Sequence, residues 1–381
     1  MYHKSFHSIL SLIHNTSYTI RYYVSRPIHY NQLDKNIIVF SSTLFSQPTI
    51  HNLLQYTTRH GNATVSENRF TVHRLGLLCS DDVRRGRGKQ ITPLPIKSYC
   101  QQHNIPVYNV PHNTTWSMNN YTVSDAVINN YNIVLVISFG YKIPQSILDQ
   151  FDLVLNIHPS LLPLYRGASP IQHTLLHNDH VTGVSIIQLN NQVDTGDIIQ
   201  QTRCSIDDND TYITLHNKLS ELGSEMIINV LCNLQQSMNN MQSQSRYIQL
   251  LGELYNVNKL RAPKIPKSSG CIDVYNTSAT HICTQYRSYH GFIPLYMFYN
   301  NQRLLIVQMS PVVYNQYPLD GDIGKLVYNE HDECILIKCV DDNCISIQVV
   351  HVEYGKSSIT AKHFMNYKFD SKQPYIDKTN V

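Results

Sequence analysis

Short apolar runs without polar alternation recur along the first two thirds of the chain, and this feature restricts the fold more than any other. The clearest run is Ile-Val-Leu-Val-Ile at residues 133–137. A strand with one solvated face alternates apolar and polar side chains, whereas a strand buried on both faces is apolar throughout. Segments with helical character lie between many of these runs. The sequence therefore predicts an α/β fold, a Rossmann-like domain with a mostly parallel sheet.

The predicted strands and helices of this domain alternate along the chain. The predicted strands are residues 36–42, 75–79, 107–110, 133–138, 154–158, 183–189 and 197–204. The predicted helices are residues 48–56, 96–103, 124–129, 170–178 and 212–235. Because ligands of open parallel sheets bind beyond the carboxyl ends of the strands, we expect a functional site where these strands end.

The character of the chain changes after residue 235. Residues 236–260 are rich in Gln, Ser, Asn and Met and have no core periodicity, which predicts a linker after a first domain at residues 34–235. From residue 261 to 381, short strand-like runs are separated by Asp-Gly and Asp-Asp-Asn turns. This pattern is typical of a small β-rich domain and predicts a C-terminal β-barrel at residues 261–381.

The first 33 residues contain no acidic side chain. Lys4, Arg21 and Arg26 occur there together with several serines, and the first acid is Asp34. A cationic, acid-poor leader is typical of an organellar transit peptide, because a negative-inside membrane potential draws it inward. Residues 1–33 are therefore predicted to be a mitochondrial transit peptide, with the mature protein in the mitochondrial matrix. The alternative is a disordered tail in a chain that has few charged residues.

Composition argues against several classes of protein. The longest apolar stretch, near residues 133–141, falls short of the roughly 18 residues that span a bilayer, so no membrane partner is expected. The nine cysteines are odd in number and form no C-x-x-C pair, which argues against a disulfide framework and against a zinc ribbon. A reducing compartment fits best, and no metal is expected. No G-x-G-x-x-G follows the first strand, which argues against a dinucleotide-dependent dehydrogenase.

Three polar residues are candidates for chemistry. Asn156 and His158 lie two residues apart at the end of a predicted strand, so both side chains point to the same side of the sheet. Asp194 lies on a later glycine-containing loop that can return to the same edge. Together these groups can transfer an acyl group: the carboxamide holds an oxyanion, and the imidazole supplies a proton or positive charge. The carboxylate sets the imidazole's protonation and accepts the nucleophile's proton. With an amine as the attacking group, no Ser or Cys nucleophile is needed.

Four motifs around these residues resemble the signature of one known family. The motifs are Asn156-x-His158-Pro-Ser-Leu-Leu-Pro163, Arg166-Gly-Ala-x-Pro-Ile-Gln172, Thr182-Gly183 and Asp194-Thr-Gly-Asp197. They are similar to those of the 10-formyltetrahydrofolate-dependent formyltransferases, most closely the branch that formylates methionyl-tRNA. The resemblance implies that Asn156, His158 and Asp194 are catalytic. It also implies that the loop at residues 139–141 and the segment before Asp194 flank the pterin, and that the folate site includes Ser160, Leu161, Leu162 and Pro163.

The same resemblance implies the substrates. The co-substrate would be 10-formyltetrahydrofolate, the acceptor would be initiator methionyl-tRNA, and the protein would be a monomer. The basic loop at residues 82–89 is similar to the family's Gly-Arg-Gly-Lys loop, in which Arg87 would contact and discriminate tRNA. Residues 261–273 are similar to the family's linker into an OB-like barrel that touches tRNA.

Two segments depart from the family pattern, and other functions that share its residues or its fold stay open. The first strand ends in Ser-Thr-Leu-Phe at residues 42–45 instead of a Gly-Thr-Pro-Asp-like turn, and residues 290–294 replace the usual Asn-Pro-Trp-Pro. The alternatives are a formyltransferase that acts on another amine, a 10-formyltetrahydrofolate hydrolase that uses water, and a non-catalytic RNA-binding or assembly protein that retains the fold.

Overall fold

The structure is a computed structural model, and it describes residues 30, 33–57, 70–85, 90–110, 124–245, 257–310 and 321–378. The predicted transit peptide at residues 1–33 lies outside these ranges except for residues 30 and 33. Arg87 lies outside them as well. The elements below all belong to one compact unit, Asp34–Val381.

Seven of the first nine strands form a sheet that is mostly parallel. The nine are β1 (Lys35–Phe40), β2 (Val72–Ser80), β3 (Val83–Arg85), β4 (Gln90–Thr92), β5 (Val107–Val110), β6 (Ile133–Val136), β7 (Leu153–His158), β8 (Val181–Gln188) and β9 (Ile198–Ser205). The order in the sheet is β5-β2-β1-β6-β7-β8-β9. The pairs from β5 to β7 are parallel, whereas β8 is antiparallel to both of its neighbours. β3 and β4 form a separate antiparallel pair, in which residues 83–85 of the basic loop pair with residues 90–92.

The predicted α/β class is confirmed, and burial explains it. Every residue of β6 and of β7 is buried. Strands covered on both faces are apolar in sequence because each side chain meets a layer of the protein. Helices supply those layers: α1 (Gln47–Gln55), α2 (Pro95–Gln102), α3 (Asp125–Ile128), α4 (Gln145–Leu148), α5 (Pro170–Leu176), α6 (Tyr212–Cys232) and α7 (Leu234–Asn239).

Local signals fix where two of these segments begin. The Thr43 side chain accepts a hydrogen bond from the Phe45 backbone N–H and caps a short 3-10 helix, Leu44–Ser46, that leads into α1. The atypical turn after the first strand is thus a capped helix start. α6 opens with a reciprocal capping box between Thr211 and Thr214.

Among its described residues, the C-terminal part contains a six-stranded antiparallel sheet and two α-helices. The elements are α8 (Ala279–Tyr289), β10 (Leu295–Tyr299), β11 (Gln302–Met309), β12 (Leu326–Asn329), β13 (Cys334–Lys338), β14 (Cys344–Val352), β15 (Ile359–Thr360) and α9 (Ala361–Tyr367). The order is β10-β11-β14-β13-β12, with β15 also paired to β14. The β-rich character is confirmed. Closure of these strands into an OB-like barrel stays a prediction.

Helix α8 was not among the sequence predictions, and it joins the C-terminal sheet to the first part of the chain. Thr, Cys and Tyr are weak helix formers, so tertiary burial decides its conformation. Ser288 Oγ donates to the Gln172 carbonyl of α5 at 2.8 Å, and Arg287 Nη2 donates to Asn178 Oδ1 at 2.6 Å. The residue limits predicted for the domains and the linker stay predictions. Among the described residues, no helix is long and apolar enough to cross a membrane.

Candidate active site

Asn156 and His158 lie at the carboxyl end of β7, on the same side of the strand. Both line a cavity of about 470 Å³. Their side chains are buried, with residue exposures of 8% and 4%. Polar side chains at such depth need hydrogen-bond partners, since an unpaired buried polar group is costly. The partners of these two residues meet at one carboxylate.

That carboxylate belongs to Asp194, on the loop between β8 and β9. Asn156 Nδ2 donates to Asp194 Oδ1 at 3.0 Å. The backbone N–H of Gly167 donates to Asp194 Oδ2 at 2.9 Å. His158 Nδ1 lies 3.6 Å from the same oxygen. The structure therefore brings together the three residues that the sequence proposed for catalysis.

The tautomer of His158 follows from its other ring nitrogen. Nε2 lies 3.0 Å from the carbonyl oxygen of Tyr165. A carbonyl can only accept a hydrogen bond, so Nε2 carries a hydrogen in both the neutral and the charged imidazole. The proton that the ring gains or loses is therefore on Nδ1, which faces Asp194. In the neutral ring Nδ1 is a free lone pair, as required for a group that accepts a proton.

The four residues proposed for folate do not line this cavity: Ser160, Leu161, Leu162 and Pro163. Ser185 Oγ donates to the Ser160 carbonyl at 2.6 Å and accepts from the Leu162 N–H at 3.0 Å. Ser160 Oγ in turn donates to the Leu164 carbonyl at 2.6 Å. These bonds shape the turn that carries Tyr165 toward His158. A direct contact of the four residues with folate stays a prediction.

Two loops that the resemblance placed beside the pterin do line the cavity. The first is Phe139, Gly140 and Tyr141, after β6, and the second is residues 190–193, before Asp194. Burial raises the pKa of the Tyr141 phenol, so the hydroxyl stays protonated and can donate a hydrogen bond. A planar heterocycle needs apolar surface together with such polar groups.

Aromatic side chains form another wall of the cavity, which we call the aromatic wall: Phe45, Tyr212, His216 and Phe292. The Tyr212 ring lies 5.3 Å from that of Phe292 and 5.5 Å from that of His216, centroid to centroid. Phe292 is 43% exposed. Both segments that depart from the family pattern, residues 42–45 and 290–294, therefore contribute to the cavity.

Sequence reasoning missed the residues that hold the site together. The Tyr165 carbonyl and the Gly167 N–H contact His158 and Asp194 through the backbone, so they leave no side-chain signal. Arg166 was quoted only as part of a motif. Gln244, in the predicted linker, bonds both Arg166 and the Asp194 loop. Its polar surroundings in the sequence carried no signal that distinguishes it from neighbouring glutamines.

A metal site requires several His, Cys, Asp or Glu side chains that converge on one point. Within the described ranges, no cluster of three or more His, Cys, Asp or Glu side chains is placed to hold a metal ion. Burial raises the pKa of Cys79 to about 11 and that of Cys100 to about 12, so neither thiol is a ready thiolate.

A mostly parallel sheet that places a carboxamide, an imidazole and a carboxylate at one cavity has the groups that acyl transfer requires. The family model for "Formyl transferase" matches residues 36–231, and that for "Formyl transferase, C-terminal domain" matches residues 264–368. The chain belongs to the formyl transferase family.

Its relatives within that family include methionyl-tRNA formyltransferases. The enzyme of that name from Buchnera aphidicola is 34% identical over 304 residues, which cover 78% of this chain and 87% of the relative. The mitochondrial enzyme of Homo sapiens is 32% identical over 281 residues, which cover 72% of this chain and 65% of the human protein. Bacterial and mitochondrial relatives are thus similar to this chain to the same degree.

Solved structures show the same fold in more distant proteins. WlaRD, a sugar 3N-formyl transferase, superposes with a TM-score of 0.52 at 20% identity, covering 83% of this chain and 98% of that one. An N-formyltransferase from Helicobacter canadensis gives 0.51 at 17% identity and covers 83% and 99%. At such identities the likeness supports the fold alone.

Proposed function

We propose that this protein transfers the formyl group of 10-formyltetrahydrofolate to the α-amino group of methionyl-initiator tRNA, giving N-formylmethionyl-tRNA for translation initiation. The observation that carries the proposal is the meeting of Asn156, His158 and Asp194 at one cavity. Methionyl-tRNA formyltransferases at 28–34% identity over most of the chain support this acceptor. The formyl transferase family supports the donor.

The three side chains divide the reaction among them. The amine nitrogen attacks the formyl carbon, and the carbonyl oxygen becomes an oxyanion that the Asn156 amide stabilises. His158 Nδ1, held beside Asp194, accepts the proton that the amine loses. The bond between the formyl carbon and N10 then breaks, and N10 takes up that proton. Asp194 stabilises the imidazolium while it exists. Because the amine attacks the formyl carbon directly, no covalent intermediate with the protein is required.

The donor is proposed to bind against the two loops at residues 139–141 and 190–193. They line the cavity beside the three catalytic groups and combine apolar surface with the Tyr141 hydroxyl. Ser160, Leu161, Leu162 and Pro163 complete the folate site in this proposal. The turn that contains them is linked to His158 through Tyr165, so binding there would fix the imidazole as well.

One assay separates this function from its alternatives. Purified protein is given 10-formyltetrahydrofolate together with methionyl-initiator tRNA, an amino sugar nucleotide, or buffer alone. Formyl-methionyl-tRNA formed much faster than either other product supports the proposal. Equal loss of the formyl donor without any amine would identify a hydrolase, and formylation of the sugar amine would identify another acceptor. Absence of turnover with preserved tRNA binding would identify a non-catalytic RNA-binding protein.

Arg87 is proposed to contact the acceptor end of the tRNA. It is one of four cations within residues 84–89, where glycines allow the backbone to approach a phosphate. In Arg87→Ala, the preference in kcat/KM for initiator over elongator tRNA is expected to fall about tenfold or more, the effect of losing one charge-assisted hydrogen bond. Arg74→Ala, which removes an exposed arginine bonded to Asn130, is the matched control. An unchanged preference in Arg87→Ala would mean that the loop is only solvated.

The protein is further proposed to be a monomer of the mitochondrial matrix, directed there by residues 1–33. The support is the acid-free, cationic leader and the mitochondrial relatives. A fusion of residues 1–33 to a fluorescent reporter is expected to enter isolated energised mitochondria and to stay outside once the membrane potential is dissipated. Exclusion of the fusion under both conditions would contradict the targeting role. The molar mass of the mature chain, measured by light scattering, is expected to be that of a monomer.

A further inference from the structure

Gln244 lies in the segment predicted to be a linker, yet its side chain bonds two segments that border the active site. The residue is 3% exposed. Its Oε1 accepts from Arg166 Nε at 3.0 Å and from Arg166 Nη2 at 2.6 Å. Its Nε2 donates to the Asp194 carbonyl at 3.0 Å and to the Gly196 carbonyl at 2.7 Å. All four bonds end on the turn after β7 or on the loop that carries the catalytic carboxylate.

The backbone around Gln244 is itself anchored. The N–H of Ile198, the first residue of β9, donates to the Gln242 carbonyl at 2.8 Å, and the Gln242 N–H donates back to the Ile198 carbonyl at 2.9 Å. This pair joins the start of β9 to the segment beyond α7. Gln244 is thus held against the rigid sheet while its amide reaches the loop.

The Asp194 loop needs such an anchor. Asp194 has φ of 53°, in the left-handed region that residues with a side chain rarely adopt. Val193, immediately before it, is 60% exposed and contributes little packing. The backbone of Gly196 lies against Gln188. A β-carbon on residue 196 would be 1.7 Å from the Gln188 carbonyl oxygen. Gln244 donates to the carbonyls of residues 194 and 196 and so fixes the strained peptide from both sides.

Gln244 also controls Arg166. The Arg166 guanidinium is half-buried, and burial lowers its pKa while the Asp194 carboxylate acts in the opposite direction. An arginine near a carboxylate tends to form a bidentate pair with it. Because Gln244 Oε1 engages both Nε and Nη2, these donors are held away from the oxygens of Asp194. Those oxygens are left to Asn156, Gly167 and His158.

We propose that Gln244 is a positioning residue that holds the Asp194 carboxylate in the orientation required by Asn156 and His158. This inference rests on the proposed function for its kinetic readout. A carboxamide suits the place because one end accepts while the other donates twice. A carboxylate at position 244 would keep the contacts with Arg166. Its second oxygen would face the carbonyl oxygens of Asp194 and Gly196, which repel an anion. A thioether of similar length would provide neither set of bonds.

The test compares Gln244→Met and Gln244→Glu with the wild type. In both variants kcat is expected to fall about 10- to 100-fold, because small displacements of a catalytic group carry penalties of that order. KM for the formyl donor and for tRNA should change little, since Gln244 does not line the cavity. Gln348→Met, which removes a partly buried amide from β14 of the C-terminal sheet, controls for the loss of a glutamine and is expected to keep the wild-type kcat.

A crystal structure of Gln244→Met gives a readout that is independent of the reaction. The Asp194 carboxylate is expected to leave Asn156 and to turn toward Arg166. Wild-type kcat in both variants, or an equal fall of kcat in Gln348→Met, would overturn the inference, as would an unmoved Asp194. Lack of formylation by the wild-type protein would instead reject the proposed function, and the displacement of Asp194 in the crystal would still decide the positioning role.

Discussion

Asn156→Ala is expected to lower kcat for formyl transfer by about 10²- to 10³-fold, the loss found when one donor to an oxyanion is removed. The Asn156 amide carries two N–H groups, and one donates to Asp194 Oδ1 at 3.0 Å. That bond fixes the plane of the amide, and we expect the second N–H to face the oxygen of the formyl group. Since charge develops on this oxygen mainly in the transition state, the dissociation constant of the folate should change little.

Asn132→Ala is the matched control for this experiment. Asn132 lies just before β6, at the opposite end of the sheet, and its Nδ2 donates to Asp152 Oδ2 at 3.1 Å. Its loss removes a comparable amide without touching the cavity, so kcat should stay at the wild-type level. The kcat of each variant is measured with saturating donor and tRNA, and folate binding by calorimetry. Wild-type turnover in Asn156→Ala would remove the oxyanion role from this residue.

The pattern of apolar residues was sufficient to predict the α/β fold, and the structure shows why. The predicted strand at residues 133–138 contains β6, Ile133–Val136, and the predicted helix at residues 170–178 contains α5, Pro170–Leu176. Both signals are local, since a strand buried on two faces is apolar throughout and a proline suits the first turn of a helix. The helix Ala279–Tyr289 has no such signal, because burial against α5 and the C-terminal sheet stabilises it more than its own residues do.

The candidate site likewise contains residues that the sequence could predict and residues that it could not. Asn156 and His158 could be paired from their spacing alone, because side chains two apart on a strand share a face. The position of Gln244 could not be inferred, since it depends on the chain returning after α6 and α7 to a loop 50 residues earlier. The contact of the Tyr165 carbonyl with His158 could not be predicted from the sequence either, because every residue type has a backbone carbonyl. The geometry of backbone groups appears only when the turn at residues 160–165 is folded.

Replacing the His158 imidazole tests the proton transfer step. The fall in kcat should be at least as large as that in Asn156→Ala. His158→Ala is expected to lower kcat by about 10²- to 10⁴-fold, the range assigned to general acid–base groups. The proton that moves is on Nδ1, 3.6 Å from Asp194 Oδ2, because Nε2 is committed to the Tyr165 carbonyl. Loss of the ring therefore removes the proton acceptor and leaves the Asp194 carboxylate without the cation it would stabilise.

His158→Gln separates proton transfer from packing. Its amide can donate to the Tyr165 carbonyl in place of Nε2 but cannot take up a proton near neutral pH. If His158 acts as the base, this variant should be about as slow as His158→Ala. His103→Ala is the control, because its ring also bonds a backbone carbonyl, that of Tyr99 at 2.9 Å, away from the cavity. Full activity in His158→Gln would show that the ring only supports the Tyr165 turn.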